Sequence, residues 1–192
     1  MTKSILQKRL MNKAVDYLGR YAASKERLRQ ILDRFATRKL DKHDPNVITN
    51  AIHSTIARCE TLGYLDDNLF AQRQARGHRK LGRSQFGIQQ RLREHKIDDD
   101  IIDAVLDSAD HYTVNGELLA ACVFARRRKL GPFDRQQNDD ASDHQRIRRR
   151  QLGSMARAGF TLAISLRVME LEDKATAEQL IIQLREREDP KI

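Results

Sequence analysis

The chain is 192 residues long, 40% hydrophobic and 33% charged, with 36 Lys and Arg against 27 Asp and Glu and a formal net charge of +9. That hydrophobic share can furnish a core and argues against wholesale disorder, while 5% aromatic content and no Trp favour several small cores over one large centre. No run approaches the roughly 18 apolar residues of a membrane span, and residues 1–11 lack an apolar stretch with a small-residue cleavage site, so a cytoplasmic location without membrane insertion is expected.

In chain order the apolar spacing is helical. Val15, Leu18 and Ala22 come first, then Leu28, Ile31, Leu32 and Phe35, then Ile48, Ile52 and Ile56, with no strand-like alternation between them. The expected fold is therefore all-α. Ser24, Asp44 before Pro45, Asp66 with Asp67, Ser84, Asp98 and Thr161 each offer a side-chain oxygen to the unpaired N–H groups of a helix start. Gly63, Gly131 and Gly159 suit helix ends. Cys59 and Cys122 lie far apart in apolar helical patterns and form no CxxC pair, which predicts two buried, reduced thiols.

The sequence also repeats itself. Leu92, Ile97, Asp98, Ile101 and Val105 match Met155, Phe160, Thr161, Ile164 and Val168 at a constant offset of 63. A looser copy spans Leu28 to Leu62, and each copy gains a preceding helix around Tyr17, Phe70 and Val123. Three three-helix repeats are expected, over residues 1–65, 66–112 and 113–171, followed by a C-terminal helical extension over 172–192 carrying Ala177, Leu180, Ile181 and Leu184. Stacked repeats of this kind form an elongated, curved body in which each trio leans on its neighbour. A monomer is expected.

Charge alternates along the chain: +7 over residues 1–65, +4 over 66–95, −6 over 96–120, +6 over 121–160 and −2 over 161–192. Arg73, Arg76 and Lys80 share one helical face at i, i+3 and i+7, with Arg83 just beyond them. Arg126, Arg127, Arg128 and Lys129 form a second cluster, and Arg148, Arg149 and Arg150 a third. One such cluster is ordinary solvated surface; three in a chain with this excess charge point to phosphates or an acidic protein as partner. Single- or double-stranded DNA would be held through phosphates, with steep salt dependence, because the second helix of each repeated pair offers little for reading bases. No stretch interleaves exposed aromatic residues with Arg, as a single-strand stacking surface would.

Catalytic signatures do not occur. The sequence contains no GxxxxGK[ST] loop, GxSxG elbow or HExxH helix and no Cys/His spacing suited to metal. Asp139, Asp140, Asp143 and His144 have metal-ligand composition but stand in a polar stretch without a rigid frame. The expectation is a binding protein with no catalytic residue, no metal and no cofactor.

The segment Leu62-Gly63-Tyr64-Leu65-Asp66-Asp67-Asn68-Leu69-Phe70-Ala71, the basic helix to Lys80, Gln89 to Arg93 and Ile97 to Leu106 together resemble the central signature of the RecX regulatory proteins. Similarity extends to Tyr17-Leu18 and Ser24 to Leu32, and to Arg157-Ala158-Gly159-Phe160 with Ile164, covering about Leu10 to Glu170. The resemblance implies tandem three-helix repeats. It also implies a non-enzymatic modulator that binds the RecA recombinase–DNA filament, in DNA recombination, repair and the SOS response, and inhibits ATP hydrolysis, strand exchange and coprotease activity. A general DNA-binding helical module, acting through phosphates without a recombinase, is the alternative.

Overall fold

The computed structural model describes residues 2–40, 44–107, 114–134 and 141–188, and all regular structure among them is helical. In chain order the helices are α1 (Thr2–Leu18), α2 (Lys25–Lys39), α3 (Pro45–Thr61), α4 (Asp67–Lys80), α5 (Gln85–Glu94), α6 (Asp99–Asp107), α7 (Val114–Arg128), α8 (Ala141–Arg157), α9 (Leu162–Met169) and α10 (Lys174–Glu188). A 3-10 turn at Gly131–Phe133 follows α7. The chain forms two compact units, Met1–Arg73 with Leu92–Ile102, and Gln74–Arg91 with Asp103–Ile192.

In the first unit α1, α2 and α3 pack on one another around a single apolar core. Leu6, Leu10 and Ala14 of α1, Leu28, Leu32 and Ala36 of α2, and Ala51, Ile52 and Cys59 of α3 are buried at helical spacing, so each helix turns one stripe inward. The α1 stripe differs from the sequence expectation by one residue. Leu6, Leu10 and Ala14 face in, which leaves the adjacent Val15 exposed and Ala22 outside the helix. Ser24 caps α2 through the Arg27 N–H (3.2 Å), and Asp44 caps α3 through the Asn46 N–H (2.7 Å), with Pro45 at the helix start.

The second unit centres on α7. Leu118 to Val123 and Ala125 are all buried, because α9, α10 and the 3-10 turn pack against this helix. The C-terminal helix α10 contributes Ala177, Ile181 and Leu184 to the same core, and Phe160 meets Phe124 with ring centroids 5.5 Å apart. Cys59 and Cys122 are both free and buried; burial pushes the Cys122 thiol up to about 11, so it packs as a small apolar group.

One joint is built twice. In the first unit the Ser24 hydroxyl donates to the His95 carbonyl (2.9 Å), and the Lys25 N–H donates to the Asp67 carboxylate (2.9 Å). In the second unit the Ser84 hydroxyl donates to the Ala158 carbonyl (2.6 Å), and the Gln85 N–H donates to the Glu117 carboxylate (3.1 Å). In each case the N-cap serine of one helix bonds the carbonyl just before the left-handed residue that closes another, and the next amide bonds a carboxylate in the first turn of a third. Ser24 and Ser84 are fully buried.

Helix ends recur as well. Gly63, Gly82, Lys96, Lys129 and Gly159 all have positive φ, and the next N–H returns to the carbonyl five residues back, as in Tyr64 to Cys59 (2.9 Å) and Phe160 to Met155 (3.2 Å). Gly131, expected at a helix end, instead opens the 3-10 turn, because Lys129 already closes α7. At Gly159 the requirement is steric as well as conformational: with φ +86, a Cβ there would lie 2.7 Å from the Ser84 hydroxyl and 2.8 Å from the Phe86 ring.

Candidate protein and nucleic-acid interface

The signature segment divides its residues between core and surface. Gly63 (φ +71) turns the chain after α3, Leu65 is the apolar plug, and the Asp66 carboxylate caps α4 through the Leu69 N–H (2.9 Å). Asp67 does something the sequence reading assigned to self-capping: buried, it caps α2 through the Lys25 N–H. Burial holds its carboxyl above the ordinary value, against the opposing pull of the Lys25 amide and ammonium. Phe70 and Ala71 point inward, Phe70 meeting the His95 ring edge-on at 5.3 Å. Leu62, Tyr64 and Leu69 remain 46%, 52% and 43% exposed, three large apolar side chains within the signature that the sequence reading did not single out. The alternation of buried Leu65, Asp67 and Phe70 with exposed neighbours follows from the turn and could be found only once that turn was fixed.

On α4, Arg73, Arg76 and Lys80 are all exposed and have no partner among the described residues. Arg79, between them in sequence, turns inward. It pairs with Glu117 in a site where the two side chains are 6% and 15% exposed, and its Nη1 also reaches the Arg83 carbonyl (3.1 Å). Glu117 thus receives both the guanidinium and the Gln85 amide. The Arg83 side chain is exposed.

The second cluster is largely occupied by the fold. Arg126 pairs with Glu178 of α10 (2.8 Å), Arg127 donates to the Leu81 carbonyl (2.5 Å), Arg128 lies over the Phe124 ring at 6.0 Å, and Lys129 closes the helix. The third cluster separates by face. Arg148 approaches Glu170 (3.8 Å), whereas Arg149 and Arg150 are exposed without a partner among the described residues. Helical spacing adds Arg157, exposed two turns beyond Arg149 and Arg150 on α8 and outside any contiguous basic run.

No group of three or more metal-ligating side chains occurs among the described residues; Asp139 and Asp140 lie outside them. No helix among those residues is long and apolar enough to cross a membrane. What the described residues present is helical units, capped joints and exposed arginines.

No protein-family model matches the chain. It is 31% identical over 163 residues to a regulatory protein RecX of Myxococcus xanthus, covering 84% of each chain, and 24% identical over 160 residues to a regulatory protein RecX of Agrobacterium fabrum, covering 83% of this chain and 81% of the other. Two solved structures share its fold. A crystal structure of regulatory protein RecX aligns with TM-score 0.65 at 15% identity, covering 87% of this chain and 73% of that one. RecX from Lactobacillus salivarius aligns with TM-score 0.61 at 17% identity, covering 95% and 98%. The chain belongs to the RecX family of regulatory proteins.

Proposed function

We propose that this chain binds the RecA recombinase–DNA filament in the cytoplasm and lowers its ATP hydrolysis, strand exchange and coprotease activity by occupying it, without chemistry of its own. The observation that carries the reading is the signature segment, where exposed Leu62, Tyr64 and Leu69 lead into Arg73, Arg76 and Lys80, none of the three cations being satisfied among the described residues. Exposed apolar side chains that include a Tyr, and free cations further along the sequence, are residue types that protein- and phosphate-binding surfaces use. The duplicated serine joint supports reading the chain as three repeats over 1–65, 66–112 and 113–171 with an extension over 172–192.

The test is DNA-dependent ATP hydrolysis by RecA with this chain added below the RecA concentration. Inhibition is expected. Replacing Arg73, Arg76 and Lys80 together with Ala should weaken it about tenfold, since three exposed charges contribute about 1–2 kcal/mol between them. Unchanged hydrolysis at every dose overturns the reading.

A further inference from the structure

The signature turn is held from outside the signature. Glu60 stands in the last turn of α3 and Asp67 in the first turn of α4, and Lys25, at the start of α2, binds both. Its ammonium pairs with the Glu60 carboxylate (2.6 Å), and its N–H donates to Asp67 (2.9 Å). Leu62, Gly63 and Tyr64 run between these two anchors, and Leu69 follows on α4. The Tyr64 N–H returns to the Cys59 carbonyl (2.9 Å) and the Gly63 N–H to the Glu60 carbonyl (2.9 Å), bonds that set the turn's own backbone. Lys25 adds a tie between the foot of α3 and the head of α4.

The second joint serves its carboxylate differently. There Gln85 stands where the first joint has Lys25, and the cation is Arg79, whose side chain is 6% exposed where it meets Glu117. A buried pair of that kind belongs to the interior, and loss of one partner is costly. The Lys25 and Glu60 side chains are 43% and 38% exposed, a setting in which an ion pair contributes little to overall stability. Its charge is directed at the turn instead. The Glu60 bond foremost, with Asp67 and Asp98 behind it, strengthens the hold of Lys25 on its proton against desolvation. Removing the ammonium therefore leaves three carboxylates near one another without it.

We infer that Lys25 is the positioning residue of the signature surface: it fixes the turn carrying Leu62 and Tyr64 against the start of α4, where Leu69 stands, so that these side chains meet a partner in one arrangement. A surface ordered before binding loses less freedom on binding, which strengthens the complex without a new contact. Lys25 acts through the turn and need not touch the partner. That partner is the one of the filament reading, on which the inference rests. Sequence spacing does not show this role, because Lys25 lies 42 residues from Asp67.

The experiment pairs amide hydrogen exchange of the free full-length chain with inhibition of RecA's DNA-dependent ATPase, for Lys25→Glu and Lys25→Arg. Lys25→Glu sets a fourth carboxylate at the anchor. Amides 62–69 should then exchange about fivefold faster, the effect of one lost ion pair, while those of α7 keep wild-type rates. The half-inhibiting concentration should rise by a similar factor, about fivefold. Lys25→Arg keeps the charge and should restore both readings. In about 1 M salt the exchange difference between wild type and Lys25→Glu should shrink, because an exposed pair is screened. Faster exchange throughout the chain, α7 included, with no rescue by Arg would make Lys25 a residue of the fold alone and overturn the inference. Wild-type exchange over 62–69 in Lys25→Glu, or a Lys25→Glu chain as inhibitory as the wild type, would overturn it too. If the wild-type chain itself leaves RecA untouched, the filament reading fails, and the exchange measurement alone still decides whether Lys25 holds the turn.

Discussion

At the scale of single residues, the backbone sets conditions that side-chain chemistry must meet. Lys96 and Lys129 both hold left-handed backbone (φ 55) to close α5 and α7, a conformation that costs a residue with a Cβ about 1–2 kcal/mol. Lys96→Gly and Lys129→Gly should each stabilise the chain, by about 0.5–1 kcal/mol after glycine's extra unfolded-state entropy, as read by urea denaturation. Asp67 supplies a pH signature. Desolvation raises its folded-state pKa, aided by the nearby Asp98 and Glu60 and opposed by Lys25, so the folded chain holds the proton more tightly than the unfolded one. That contribution to stability is complete below the unfolded carboxyl value of about 3.9 and disappears as the pH rises through the folded value. The stability of the wild type relative to Asp67→Asn should therefore be greater near pH 3.5 than near pH 7; a difference that stays flat or grows with pH would remove desolvation as the dominant cause. Glu26 behaves oppositely: Arg29 holds its carboxyl at about 2, so its contribution is present above the ordinary carboxylate range and is lost only in strong acid.

At the scale of elements, the joints govern. Each buried serine hydroxyl both caps its own helix and bonds the end of another, so Ser24→Ala or Ser84→Ala removes a cap and strands a buried carbonyl. A loss of about 2 kcal/mol is expected for each by chemical denaturation. Arg79→Ala should cost about 3–5 kcal/mol, because it leaves Glu117 buried without its guanidinium. Smaller losses would mean that neighbouring groups or water replace the missing partners. Much of this level was legible in the sequence. Ser24, Asp44, Asp66, Ser84 and Thr161 announce helix starts through side-chain chemistry that acts within three residues, and all five accept the expected amide. The α1 register was not legible, since Val15 and Ala14 are equally apolar and only packing on α3 decides between them. Nor was the role of Asp67, whose partner Lys25 lies 42 residues away.

At the scale of the whole molecule, helical class and family were legible because period and signature are local properties of the chain. The surfaces were less so. Runs of basic residues overstate what is available to a partner: Arg126 to Lys129 are drawn into pairing, ring contact and a helix end, while on α8 the run Arg148 to Arg150 leaves out the exposed Arg157 two turns on. A chain acting by occupancy requires such surfaces to be free, and Arg73, Arg76 and Lys80 meet that requirement among the described residues. The most direct measurement is RecA's single-strand-dependent ATPase titrated with this chain. The account predicts falling hydrolysis at substoichiometric dose, with the Arg73, Arg76 and Lys80 triple alanine variant shifted to higher concentration; hydrolysis indifferent to the chain, or a variant as potent as the wild type, would contradict it.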